Sequence, residues 1–185
     1  RNLINSDNIN IEVVSKVLRL QSIPLRKIRE TIFQLKPIVG RNQFIRTKNK
    51  GAYIVDYAHT PSSLLILLEN VGYSLGRVPG NIITVFGCGG DRDKKKRPLM
   101  GKIANSLADK IYITDDNPRY ESAKKIRKEI ISHCPKAIEI KSRYLAIKTA
   151  INNCEEGENL LIAGKGHEDY QIIGKNIYKF SDKDT

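Results

Sequence analysis

The stretch Lys110-Ile111-Tyr112-Ile113-Thr114-Asp115-Asp116-Asn117-Pro118-Arg119 passes abruptly from an apolar run to a cluster of polar and ionisable side chains. Its first half is β-branched and aromatic, which suits a pleated and covered surface, so it reads as a short buried strand. Pro118 has no backbone N–H and drives Asn117 toward an extended conformation, so the chain must turn there. Carboxylates, an amide and a guanidinium therefore stand on a stiff loop at the C-terminal end of a strand. Open α/β sheets bind their ligands at that end. Such a set suits a zwitterion, with Arg119 gripping a carboxylate through paired N–H donors and Asp116 holding an ammonium. The same residues are ordinary turn formers, and taken alone they fit a capped turn of solvated charges equally well.

Outward from this loop, strands and helices alternate. Downstream, the pattern predicts helices over 122–133 and 143–153, strands over 137–140 and 160–163, and a closing hairpin at Ile172-Ile173-Gly174-Lys175-Asn176-Ile177. Upstream, it predicts a helix from Pro98 to about Ala108, a strand over 81–86, and a helix over 62–71 opened by Thr60 as cap and Pro61. Ala52 to Tyr57 reads as a buried strand, Asn49-Lys50-Gly51 as a turn, and Gln43 to Thr47 as another strand. Helices of ten or so residues between strands imply βαβ units, hence an α/β fold with a mostly parallel sheet and helices on both faces. Residues 9–20 and the segment opened by Pro24 carry apolar side chains at helical spacing. Lys36-Pro37 ends that helical pair, so a domain boundary is expected there, between residues 1–36 and 37–185.

Composition sets the outer limits. With 185 residues, 40% hydrophobic and 28% charged, the chain has the length of one good-sized domain with part of another. No apolar run approaches the ~20 residues needed to span a bilayer, so no membrane insertion is expected. Three cysteines at no metal-like spacing favour free thiols and a cytoplasmic setting. The net charge of +12 invites anionic partners, yet aromatics are only 6% and the basic residues form no stripe. A nucleic-acid-binding module is therefore disfavoured. The first residues, Arg1-Asn2-Leu3-Ile4, read as neither a leader nor an initiator, and the chain is expected to be part of something longer.

Three further loops follow predicted strands. Asp56-Tyr57-Ala58-His59-Thr60-Pro61 leads into a helix whose N-terminus suits a phosphate, with His59 an added donor or a packed capping residue. Gly87-Cys88-Gly89-Gly90-Asp91-Arg92-Asp93 lets backbone N–H groups approach a ligand closely. It is no P-loop, since Gly-x-x-x-x-Gly-Lys-Ser/Thr occurs nowhere in the chain. Ala163-Gly164-Lys165-Gly166-His167-Glu168-Asp169-Tyr170 again sets glycines and ionisable groups behind an apolar strand. Its His167-Glu168 is not a zinc motif, because no second histidine follows at helical spacing. The absence of Gly-x-Gly-x-x-Gly after the first strand argues against a dinucleotide-binding dehydrogenase. In a parallel sheet all four loops meet at one edge.

Read together and in this order, Val55 to Pro61, Phe86 to Asp93, Asp115 to Arg119 and Ala163 to Tyr170 resemble the C-terminal domain of the Mur ligases, in particular those adding diaminopimelate during peptidoglycan synthesis. The resemblance covers residues 37–185, while residues 1–36 resemble the helical end of the family's central ATP-binding domain. It implies a Rossmann-like domain of a cytoplasmic ligase that activates a carboxylate as an acyl phosphate. The partners implied are meso-diaminopimelate, a UDP-N-acetylmuramoyl-dipeptide and ATP, with ATP and Mg²⁺ held mainly by the central domain. By position, Arg92, Asp116, Asn117, Pro118, Arg119, Gly164 and Glu168 match the diaminopimelate contacts. Arg41 and His59 match nucleotide contacts, with Asp56 a weaker candidate. No catalytic residue or metal ligand is expected within this chain, which is expected to be inactive alone and to stop short of the family's final helix. Arg119 is expected to favour diaminopimelate over lysine, which lacks the far carboxylate, by roughly 10⁴-fold if the guanidinium is fully desolvated.

Overall fold

A computed structural model describes residues 6–35, 38–45, 52–74 and 82–185. The turn expected at Asn49-Lys50-Gly51, the far end of the strand reaching Thr47, the Lys36-Pro37 stop and Asn81 lie outside them. The chain divides into two units, Arg1–Pro37 and Ile38–Thr185. The first holds helices α1 (Ser6–Leu20) and α2 (Leu25–Gln34). Ser22, at φ +62, breaks the helical path between them, and Pro24 fixes an extended N-cap for α2. Ile28 is the buried residue of α2.

In the second unit a six-stranded sheet is built from β1 (Gln43–Ile45), β2 (Tyr53–Asp56), β3 (Ile82–Phe86), β4 (Lys110–Ile113), β5 (Ile138–Glu139) and β6 (Asn159–Ala163). Their spatial order is β1-β2-β6-β3-β4-β5. β1 runs antiparallel to β2 at one edge, and every other neighbouring pair is parallel. The last core strand, β6, is thus inserted between the first two long ones, and all of its residues are buried. A strand covered on both faces must be apolar throughout, which Leu160-Leu161-Ile162-Ala163 provides.

Alternate strand residues feed two cores. On one face, Ile54, Ile82, Phe86, Ile111, Ile113 and Leu161 pack with α3 (Pro61–Ser74), α4 (Lys96–Leu107) and α5 (Ala123–Ile131). On the other, Val55, Ile83, Val85, Tyr112, Leu160 and Ile162 pack with Ala146, Ile147 and Ala150 of α6 (Arg143–Asn152). Burying each such Leu, Ile or Val contributes about 1.5–3 kcal/mol. Thr60 caps α3 by accepting from Ser63 N at 3.2 Å, and Ser122 and Ser142 cap α5 and α6 in the same way.

α4 begins two residues earlier than the proline suggested. Pro98 lies within its first turn, where a missing N–H costs nothing because no intrahelical acceptor exists there. The hairpin of β7 (Tyr170–Ile173) and β8 (Asn176–Lys179) stands as a separate two-stranded sheet. A short 3₁₀ turn, Asp182–Asp184, follows it.

Candidate functional site

Because β2, β3, β4 and β6 are mutually parallel, the loops that leave them share one rim of the sheet. The loop after β4 is the hub. The Asn117 side chain donates to Glu168 Oε2 at 3.0 Å, while its Oδ1 accepts from Lys165 Nζ at 3.1 Å and from Ile172 N at 2.9 Å. Lys165 is fully buried. Its ammonium also donates to Glu168 Oε2 at 3.1 Å and lies 3.8 Å from Asp116 Oδ1. Asp116 is only 7% exposed, yet among the described residues no hydrogen-bond donor reaches its carboxylate. Gln171 instead holds the Asp116 backbone carbonyl at 2.5 Å.

Gly164 sits at φ +116, and a Cβ there would lie 2.9 Å from Asp116 Oδ2. Both its backbone conformation and the nearness of that carboxylate favour glycine.

Arg119 also adopts a left-handed backbone, φ +51. It is held there from both sides by the hairpin, its N–H donating to Ile172 O at 3.2 Å and its carbonyl accepting from Gly174 N at 2.7 Å. Its Nη1 donates to Gly90 O at 2.9 Å, and Nε and Nη2 have no acceptor among the described residues. Gly90 donates in turn to Asn117 O at 2.9 Å and passes so close to the Pro118 carbonyl that a side chain there would collide with it. A Cβ built on Gly89 would lie 3.0 Å from Arg119 Nη1 and 3.9 Å from Arg92 Cγ, so the two arginines border the same glycine. Arg92 is exposed. Arg119 is half-buried rather than enclosed, so the full-desolvation value of lysine rejection does not apply to it.

The three nucleotide candidates gather at Tyr57, the first residue after β2: Arg41 from the segment before β1, Asp56 from the end of β2 and His59 from the loop itself. The Arg41 guanidinium lies over the Tyr57 ring at 4.5 Å. The rings of His59 and His167 pack on the same tyrosine at 4.5 and 4.9 Å. Burial, then the nearby Glu168 charge, pushes the Tyr57 hydroxyl above its usual pKa. Asp56 is occupied otherwise: its two oxygens accept from Asn42 N at 2.6 Å and Ala58 N at 2.7 Å, so it fastens the strand-to-helix turn. Gly40 and Gly166 cross in tight contact beside Tyr57, bringing this group next to the Lys165 loop.

Sequence reasoning missed the charged groups beneath the rim. Arg97, fully buried in the first turn of α4, pairs with Glu121 at 3.0 Å and Glu129 at 2.7 Å and donates to Gly89 O at 3.2 Å. The Arg97 hydrogen bond is the main reason the Glu121 carboxyl is held down at about 2. Asp115 faces away from the rim toward Arg127 of α5; burial outweighs that pairing and leaves its pKa raised. Arg143, at the start of α6, forms a wholly buried pair with Asp182 at 2.7 Å and donates to Ala163 O at 3.0 Å. Each sits in a segment that reads as a solvated helix face or tail. The clue available was an arginine next to an apolar helical stripe with an acid at a distance. A cleft of about 550 Å³ lined by Tyr144, His167, Asp169, Lys179, Phe180 and Lys183 borders the loop after β6 but includes none of the diaminopimelate or nucleotide candidates.

Residues 40–166 match the family described as Mur ligase, glutamate ligase domain. Two curated proteins named UDP-N-acetylmuramoyl-L-alanyl-D-glutamate–2,6-diaminopimelate ligase are similar. The one from Rickettsia felis is 48% identical over 94% of this chain and 32% of its own length. The one from Rickettsia typhi is 45% identical over 95% and 35%. A solved structure of a ligase of the same name superposes with TM-score 0.69 at 35% identity, covering 91% of this chain and 35% of that one. The chain thus spans about a third of the length of the curated relatives it matches. The family match across the strands and loops that build the rim identifies the chain as a member of the Mur ligase family.

Proposed function

We propose that the chain is the amino-acid-binding part of an ATP-dependent ligase that joins meso-diaminopimelate to UDP-N-acetylmuramoyl-L-alanyl-D-glutamate in the cytoplasm. Residues 1–36 would then be the end of the ATP-binding domain and 37–185 the C-terminal domain. The observation that carries the reading is the two-ended charge of the rim. The Asn117 side chain meets Glu168 and Lys165, with Asp116 next to that lysine, while its backbone carbonyl accepts from Arg119 Nη1 at 3.4 Å, and Arg119 and Arg92 border Gly89. A molecule with an ammonium and a carboxylate at its far end meets both, whereas lysine offers only the ammonium.

In this reading Arg119 presents its unpaired Nε and Nη2 to the far carboxylate, and Arg92 adds a second cation. Asp116, Glu168 and the Gly164 backbone receive the far ammonium, and Pro118 stiffens the loop that carries both ends. The other amine, held neutral, then attacks the activated dipeptide carbonyl. The new C–N bond forms as the C–O bond to phosphate breaks, and the amine gives up a proton. ATP supplies that activation, and Arg41 and His59, stacked on Tyr57 beside the start of α3, are the residues here that suit its phosphates or base. Asp56 contributes by holding their loop. Mg²⁺, in this reading, accompanies ATP and is held mainly by the remainder of the enzyme.

The test is calorimetric titration of the chain with meso-diaminopimelate and with L-lysine. Two charge-assisted hydrogen bonds from a half-buried arginine correspond to a preference of about 10- to 100-fold for diaminopimelate. Arg119→Ala should erase the preference while leaving lysine affinity as it was. Equal binding of the two amino acids to the unmodified chain would remove this reading.

A further inference from the structure

The least expected group at the rim is Lys165, an ammonium with no solvent exposure in a loop that reads as a glycine turn. Its surroundings can be counted by charge. From the loop after β4 comes Asp116, 3.8 Å away, and from its own loop Glu168, 3.1 Å away. From α6 comes Arg143, already neutralised by Asp182, and from β7 the Tyr170 ring, 5.6 Å from Nζ. From the loop after β2 comes Tyr57, a phenol that is uncharged at neutral pH and that burial, then Glu168, pushes further from ionising. Three carboxylates thus face two cations, and the deficit falls on Asp116, whose carboxylate has no hydrogen-bond donor among the described residues.

We propose that Lys165 is a specificity-determining positioning residue: a built-in ammonium that neutralises Glu168, orients Asn117, and leaves one uncompensated carboxylate, Asp116, so that the rim accepts a single ligand ammonium. This rests on the reading above that the rim binds a diamino acid, but the role of Lys165 inside the cluster does not. Nζ donates to Asn117 Oδ1 and Glu168 Oε2, each at 3.1 Å, and lies 3.8 Å from Asp116 Oδ1 with no solvent exposure, so the lysine acts within the cluster rather than on a ligand carboxylate. Its role is indirect. It fixes the Asn117 amide with oxygen toward Lys165 and Ile172 and nitrogen toward Glu168, and it sets one positive charge within reach of both acids.

The experiment is chemical rescue of Lys165→Ala in the full 185-residue chain, with n-propylammonium as the missing cation and n-propanol as the neutral control. Meso-diaminopimelate binding should weaken by about tenfold or more. Propylammonium should restore most of it, and propanol none. Should the variant be unfolded, propylammonium but not propanol should return its near-ultraviolet circular dichroism. Binding within twofold of the unmodified chain would overturn the proposal, as would a loss, or an unfolded state, that the amine does not relieve. If the unmodified chain fails to bind diaminopimelate, the functional reading falls. Lys165 is then judged by the Asn117 side-chain ¹⁵N–¹H resonances, which should shift in Lys165→Met as the amide loses its partner; unchanged resonances would overturn the inference.

Discussion

The side-chain amide of Asn117 donates to Glu168 Oε2 at 3.0 Å, and this contact ties the loop after β4 to the loop after β6. The same side chain accepts from Lys165 and from Ile172 N, so one asparagine meets a carboxylate, an ammonium and a backbone amide. Asn117→Ala strands these partners in a mostly buried place. A stability loss of about 2–4 kcal/mol is expected in urea denaturation. A change within 0.5 kcal/mol, estimated roughly as the scatter for surface substitutions, would show that the hub is not load-sharing.

Arg119 combines a guanidinium with a left-handed backbone, and the two contributions separate by substitution. Arg119→Gly and Arg119→Ala both lose the Gly90 contact, but only glycine relieves the backbone strain. The glycine variant should be the more stable of the two by about 1 kcal/mol, seen as a higher denaturation midpoint, while both lose the preference for diaminopimelate over lysine.

Gly164→Ala puts a methyl group 2.9 Å from Asp116 Oδ2 in a backbone region that disfavours side chains. Stability should fall by about 1–3 kcal/mol, and affinity for diaminopimelate should fall with it as Asp116 is displaced. Gly157, also at positive φ but with nothing near its Cβ position, provides the comparison: Gly157→Ala should lose stability without losing affinity.

Glu121 gives a pH dependence with a defined sign. Its carboxyl sits at about 2 in the folded chain against an ordinary value of 4.5, chiefly through the Arg97 hydrogen bond. A depressed acid contributes fully above the unfolded value, and its contribution is lost as pH falls through the folded one. Between pH 4.5 and about 2, stability of the unmodified chain should therefore drop with a slope of about 1.4 kcal/mol per pH unit from this group. In Glu121→Gln that slope should disappear, so the two proteins differ at pH 6 and converge near pH 2.

The Arg143–Asp182 pair is out of water entirely. Asp182→Asn leaves a buried guanidinium without its counter-charge and should cost about 3–5 kcal/mol. Arg143→Met combined with Asp182→Leu removes both charges and should be milder than the single change in thermal melts; a double variant as damaging as the single one would contradict this.

The alternation of strands and helices was legible because each buried strand is a short apolar run closed by glycine, proline or acid, as at Phe86-Gly87 and Ile113 to Pro118. The shared rim followed from parallel pairing. The strand order did not: nothing local in Asn159–Ala163 says that it enters between β2 and β3, because its neighbours are chosen by long-range register. Lys165 was illegible for a similar reason. Between two glycines it reads as solvated, and only Asn117, Glu168 and Asp116, brought from distant segments, give it a reason to be inside. Pro98 misled by one convention: it marked a first helical turn but not the first residue of it.

The insertion of β6 also has a kinetic side. When a ribosome has delivered β1 through β5, the sheet still lacks its central member, and the gap between β2 and β3 exposes unpaired backbone on both sides. Only after Asn159–Ala163 emerges and threads into that slot do Gly164, Lys165 and Glu168 reach Asp116 and Asn117. The cluster at the rim is therefore among the last things this domain acquires during synthesis, and the nascent chain is most prone to sticking to others just before it does.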